Sequence, residues 1–157
     1  DFFKKLGPEP LNDEFSAEEF GARLLRRPKS NIKSVLLDQT VIAGVGNIYA
    51  DESLFMARIH PTTLVKDIPK KQVSDLFSGL RSVLQTSIDK GGSTDKNYVN
   101  ATGGKGSYLS FAKVFRREGE TCKVCGSVIE KSKVAGRGTH TCPSCQRVVP
   151  ASKGRSE

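Results

Sequence analysis

At 157 residues and a formal net charge of +8, the chain has room for one ordinary domain or two small ones sharing a core, and is too short for a large enzyme. No stretch approaches the roughly 18 consecutive apolar residues of a membrane span, and no basic segment leads into an apolar run with a cleavage site, so nothing points to a membrane or to secretion. The charge is uneven: residues 1–110 hold 15 Lys and Arg against 13 Asp and Glu, whereas residues 111–157 hold 10 against 4, a balance that favours a polyanion, with a solvated basic tail as the plainer alternative.

The chain opens on Asp1 rather than Met, and DFFKKLGPEPL mixes apolar, basic, Gly and Pro residues without a period, which predicts an interdomain linker over 1–15 in a piece of a longer protein. Ser16-Ala-Glu-Glu19 has the form of a capping box, and Phe20, Leu24 and Leu25 follow at helical spacing, predicting a helix over 17–27 that Pro28 ends. After the basic turn Arg26 to Ser30, the residues Ile32, Val35 and Leu36 predict a short second helix ending near Asp38.

Next comes an apolar run closed by Gly44-Val45-Gly46-Asn47. From Asn47 a third helix is predicted, with Ala50, Leu54 and Ala57 on one face, Asp51 and Glu52 complementing the dipole in its early turns, and His60-Pro61 as its end. A long helix starts at Pro69 and carries Val73, Leu76, Phe77, Leu80, Val83, Leu84 and Ile88, with Gly91 as C-cap; this stripe reads as core. Residues 91–110 are polar with five glycines and read as a long loop, and β-type residues appear beyond Phe111. The expected organisation is mainly α: a helical domain over 16–110 including that loop, a small β-hairpin finger over 111–150, and a basic tail at 151–157.

Cys122-x2-Cys125 and Cys142-x2-Cys145 stand 16 residues apart, the spacing of a four-thiolate zinc site. Paired spacing without a secretory signal favours zinc over two disulfides or four free thiols. Four thiolates leave no open coordination position, so the ion is structural and substitutes for a core that the hairpin between the pairs, turning near Ala135-Gly136, is too small to build. His140 is expected at the surface and His60 at a helix end. Arg137, flanked by Gly136 and Gly138 near the hairpin tip, suits a phosphate or a minor groove, against an ordinary solvated arginine.

The glycine turn admits two readings. Gly-x-Gly lacks its third glycine, where Tyr49 stands, and no strand-helix-strand unit surrounds it, which argues against a dinucleotide site. A helix N-terminus with glycines beside it can hold a backbone phosphate, with Asn47 capping or donating; a tight turn with Asn47 as a plain N-cap is the alternative.

Taken together, Leu6-Gly-Pro-Glu-Pro-Leu11, Ile32-Lys33, Leu37-Asp38-Gln39, Gly44 to Phe55 (GVGNIYADESLF), Arg58-Ile-His-Pro61, Gly91-Gly-Ser-Thr94 and Gly136-Arg-Gly-Thr139 within the cysteine hairpin resemble the bacterial formamidopyrimidine-DNA glycosylases, Fpg or MutM. The resemblance covers nearly the whole chain. It implies a helix-two-turn-helix DNA-binding domain followed by a zinc finger with one structural zinc. Asn47 resembles the phosphate-contacting asparagine, with Gly46 and Tyr49 beside it in the DNA-binding motif, Lys33 the DNA-contacting lysine, and Arg137 the hairpin arginine that enters the minor groove and assists δ-elimination. Lys29 would face the backbone, and the loop around Gly103 to Tyr108 is similar to one that covers an everted base.

The resemblance further implies a bacterial, cytoplasmic, monomeric repair enzyme, a glycosylase and AP lyase acting on double-stranded DNA with oxidised purines or abasic sites. The family's N-terminal proline nucleophile and its partners have no counterpart in these residues, so the implied activity here is DNA binding without base removal. An endonuclease VIII-like enzyme for oxidised pyrimidines and a non-enzymatic zinc-ribbon module are the competing readings. Thr121, Phe115-Arg116 and Pro28 depart from the pattern, which more often shows Pro, Tyr-Gly and a basic residue at those places.

Overall fold

A computed structural model of the chain describes residues 6–89 and 111–147. Its elements are α1 (Ala17–Leu24), α2 (Ile32–Leu36), α3 (Asn47–Ala57), α4 (Lys70–Asp89) and the antiparallel strands β1 (Glu130–Val134) and β2 (Arg137–Thr141). The expected loop at 91–110, the Gly91 cap, the Gly103 to Tyr108 segment and the 151–157 tail lie outside the described residues.

The capping box holds: Ser16 accepts the Glu19 N–H and Glu19 reaches back to the Ser16 N–H. The helix it starts is shorter than its apolar spacing suggests. It closes at Leu25, which is exposed, and Arg26 and Arg27 continue in turns rather than in helix. In α2, Asn31 caps by accepting the Ser34 N–H, and the Ile32 and Lys33 N–H groups are satisfied by the Thr63 and Pro61 carbonyls. Pro61, after His60, thus serves α2 as an acceptor. It does not end α3, which stops earlier at Arg58 in the left-handed conformation (φ 61°).

Helix α3 is the centre of the molecule. It packs on α4 and also on β2, and nearly every residue from Ile48 to Ala57 is buried, the two acids Asp51 and Glu52 included. The main core joins Phe15, Phe20 and Phe77, whose rings lie 5.1 to 6.4 Å apart, to Leu24, Ile32, Leu36, Ile42, Leu54, Leu76 and Leu80. The stripe on α4 falls mostly as its periodicity predicts, except Ile88, which is exposed. The stretch from residue 6 is no loose linker. Gly7 N–H donates to Gln39, Ala43 N–H to Pro8 and Arg81 to the Pro10 carbonyl, while Phe15 enters the core, so residues 6–15 are part of the helical domain.

The finger has its own small core of Val114, Ile129, Cys122, Cys142 and Cys145, closed on one side by Phe55 of α3. Its hairpin turns at Ala135-Gly136, both at positive φ (56° and 76°), the two-residue turn whose twist matches the strands.

Candidate nucleic-acid interface and zinc centre

The glycine turn divides its work between its two glycines. Gly44 lies at φ 86° and needs to be glycine; its N–H donates to the Gln39 side-chain oxygen. Gly46 lies at φ −92°, a conformation open to any residue, and an added Cβ would meet nothing nearer than Tyr49 at 3.8 Å. Gly46 is the N-cap of α3, and no side chain caps the helix. The first turn therefore keeps its N–H groups, at the positive end of the dipole, without a side-chain cap.

Asn47 is not the N-cap. It is the first helical residue, and its Nδ2 donates to the Gly138 carbonyl on β2 at 3.0 Å, which leaves the second hydrogen of that amide for another acceptor. Its Oδ1 is buried and has no hydrogen-bond partner among the described residues. One bond thus sets the helix start directly against the hairpin turn that displays Arg137, itself exposed.

Lys33, expected at the DNA surface, is instead completely buried. Its ammonium lies 2.7 Å from Asp51 Oδ1 and donates to the Gly138 carbonyl (3.0 Å) and to Thr139 Oγ1 (2.8 Å). Burial pulls its pKa below the usual lysine range, with Asp51 pulling the other way. Tyr49 likewise turns inward, its hydroxyl 2.6 Å from Ser87 Oγ on α4. Lys29 is exposed in the turn before α2, where Arg27 pairs with Asp38.

Asp51 and Glu52, placed by sequence to complement the helix dipole, are the docking points of the finger. Asp51 Oδ2 accepts both the backbone N–H and Nδ1 of His140 (3.1 and 3.0 Å), so His140 is a buried partner rather than a surface residue. Glu52 accepts three successive N–H groups, those of Lys113, Val114 and Phe115, at 2.8 to 2.9 Å. Buried Gln146 adds a third tie, accepting from Cys142 N–H and donating to the Ile59 carbonyl just past α3. One sequence signal for all this was available: Ile48, Ala50, Leu54, Phe55 and Ala57 surround α3, which leaves no polar face for its acids.

The four cysteine sulfurs lie within 4.8 Å of one another, and the Cys122–Cys145 and Cys125–Cys142 distances are 3.9 and 3.4 Å. A tetrahedral zinc with Zn–S bonds of about 2.3 Å needs sulfurs about 3.8 Å apart, so the set suits one ion with sulfur shifts of no more than about 1 Å. Backbone N–H groups of Val124 and Cys145 already point at Cys122 and Cys142 Sγ, and the Ser127 and Ser144 hydroxyls bridge the two knuckles at 2.7 Å. The Ser127 hydroxyl lowers the Cys125 thiol to about 6, while burial pushes Cys145 up to about 12.

A helical domain clamped by buried acids to a four-thiolate zinc finger defines the class of protein. Residues 6–98 match the profile described as the formamidopyrimidine-DNA glycosylase H2TH domain, and residues 119–148 match the zinc finger found in FPG and IleRS. The chain belongs to the formamidopyrimidine-DNA glycosylase family. Over 128 residues it is 48% identical to the formamidopyrimidine-DNA glycosylase of Rippkaea orientalis and 45% identical to that of Lactobacillus acidophilus, covering 82% of this chain in each case. It spans a little under half the length of these relatives, 45% and 46% respectively.

Among solved structures, Lactococcus lactis Fpg in complex with abasic-site DNA superposes with a TM-score of 0.83 at 41% identity, over 93% of this chain and 53% of that one. The MutM protein of Thermus thermophilus gives 0.82 at 41% identity, over 92% and 55%. No helix among the described residues is long and apolar enough to cross a membrane.

Proposed function

We propose that this chain is the DNA-gripping part of a base-excision-repair glycosylase and AP lyase for oxidised purines, and that by itself it holds a damaged duplex without excising a base. The observation that carries the reading is the 3.0 Å bond from Asn47 to Gly138, which joins an uncapped helix N-terminus and an arginine-bearing turn into one surface. The N–H groups of α3 and the free hydrogen of the Asn47 amide suit one backbone phosphate. Arg137, planar and always charged, suits the adjacent groove or sugar-phosphate edge.

The chain spans a little under half the length of its relatives, and we assign excision to the part of the protein outside it. Solved relatives bound to abasic-site DNA and to Fapy-dG-containing DNA support damaged duplex as the partner and purine lesions as the class. Gel incision of duplexes carrying 8-oxoguanine, a formamidopyrimidine or an abasic site, run beside a binding assay on the same duplexes, tests both halves. Retarded but uncut DNA is expected; base release or borohydride-trapped covalent complex would contradict the non-catalytic reading, and absence of any complex would contradict the binding one.

A further inference from the structure

We propose that Asp51, Lys33 and Thr139 form a buried positioning relay that sets where Arg137 points, which makes Lys33 and Thr139 determinants of the DNA grip although neither faces solvent. The proposal rests on the reading of Arg137 as a DNA contact. Asp51, fixed on α3, lies 2.7 Å from the Lys33 ammonium on α2. Lys33 donates to Thr139 Oγ1 at 2.8 Å, and that hydroxyl in turn donates to the Arg137 carbonyl at 2.9 Å. The Gly138 carbonyl between them is held from two sides, by Lys33 and by Asn47, each at 3.0 Å. These links from the helices to the turn all converge on residues 137 to 139.

A device for stability alone would not look like this. A buried ion pair recovers its desolvation cost poorly, and apolar residues of the same volume serve stability as well or better. What the chain of hydrogen bonds supplies is register. Side chains alternate along a strand, so a one-residue slip of β2 would turn the Thr139 hydroxyl away from Lys33 and move Arg137 off the α3 N-terminus. The two-residue turn at Ala135-Gly136 sets the register of the two strands against each other; the relay sets the hairpin against α2 and α3.

The test uses the zinc-loaded chain and a duplex carrying a tetrahydrofuran abasic analogue. Thr139→Val keeps the shape and removes both hydrogen bonds; it should weaken binding about tenfold, the loss expected for two buried links, whereas Thr139→Ser should stay within about twofold of the parent. Because the relay acts through Arg137, adding Arg137→Ala to Thr139→Val should cost less than about twofold more, while Arg137→Ala alone costs its full factor. Lys33→Met/Asp51→Asn, which removes both buried charges together, should show the same non-additivity. Wild-type affinity in Thr139→Val, or a full Arg137→Ala loss in every background, would overturn the relay, as would loss of zinc in both variants, which would make it a folding element. Hydrogen exchange of amides 135–138 in DNA-free protein, expected to quicken about tenfold in Thr139→Val, decides the relay even if the parent chain fails to bind the duplex.

Discussion

At the scale of single residues, the decisive ions are out of sight. Lys33 and Asp51 are both fully buried, and neither can lose its partner cheaply. Asp51→Ala strands an ammonium in the interior along with two unsatisfied donors of His140, and should cost about 3–5 kcal/mol in urea unfolding of the zinc-loaded chain. A surface-like loss below about 1 kcal/mol would mean that the pair is solvated. Arg116 is the opposite case. It sits at φ 62° beside the Phe115 ring, in the left-handed region. Arg116→Gly should raise stability by about 1 kcal/mol, since the relief of an unfavourable backbone exceeds the added chain entropy. A lower melting temperature would show that the Arg116 side chain contributes more than its backbone strain costs.

At the scale of elements, the turn from α2 into α3 is built around Asp38. Its carboxylate accepts the Thr40 hydroxyl at 2.6 Å and the Thr40 N–H at 2.9 Å and pairs with Arg27. The Thr40 hydroxyl bond is the main cause that holds the Asp38 carboxyl below its usual range, against a smaller opposing effect of burial. A depressed folded pKa means that the contribution is fully present above the ordinary aspartate value near 4 and is lost as pH falls through the lower folded value. Melting temperature followed from neutral into acid should therefore fall more steeply below about pH 4 in the parent than in Asp38→Asn; parallel curves would deny Asp38 that role.

The same elements show what a sequence discloses. The capping box, the α4 stripe and the cysteine spacing report local chemistry, and each leads to the right element. The partners that Asp51, Glu52 and Lys33 find in the finger lie 61 to 106 residues away along the chain, and no local period encodes them. Two acids in the early turns of a helix look like dipole partners until the fold surrounds that helix on all sides. Asn47 resembles a cap for a related reason: it stands where a cap is common, and only the approach of β2 gives its amide another use.

At the scale of the whole molecule, the finger and the helical domain are one unit, joined through Asp51, Glu52 and Gln146. Zinc removal should therefore reach beyond the hairpin. The cysteine spacing alone predicts that a chelator unfolds the finger and leaves the helices intact. The buried acids revise this: without the finger, Lys33, Asp51 and Glu52 lose the partners it supplies and Lys33 and Asp51 keep only each other, so hydrogen exchange should quicken in α2 and α3 as well, with α1 and α4 less affected. Exchange confined to residues 111–147 would show that the docking is energetically weak.

The central claim is that the α3 N-terminus and the Arg137 turn together form a preassembled grip on the DNA backbone. Its most direct test is the salt dependence of equilibrium binding of the zinc-loaded chain to an abasic-site duplex, measured by fluorescence anisotropy for the parent and for Arg137→Ala. With such a grip, log affinity falls linearly with log salt, and Arg137→Ala both weakens binding and reduces the slope by about one charge. Equal affinity and an unchanged slope in the variant would contradict it.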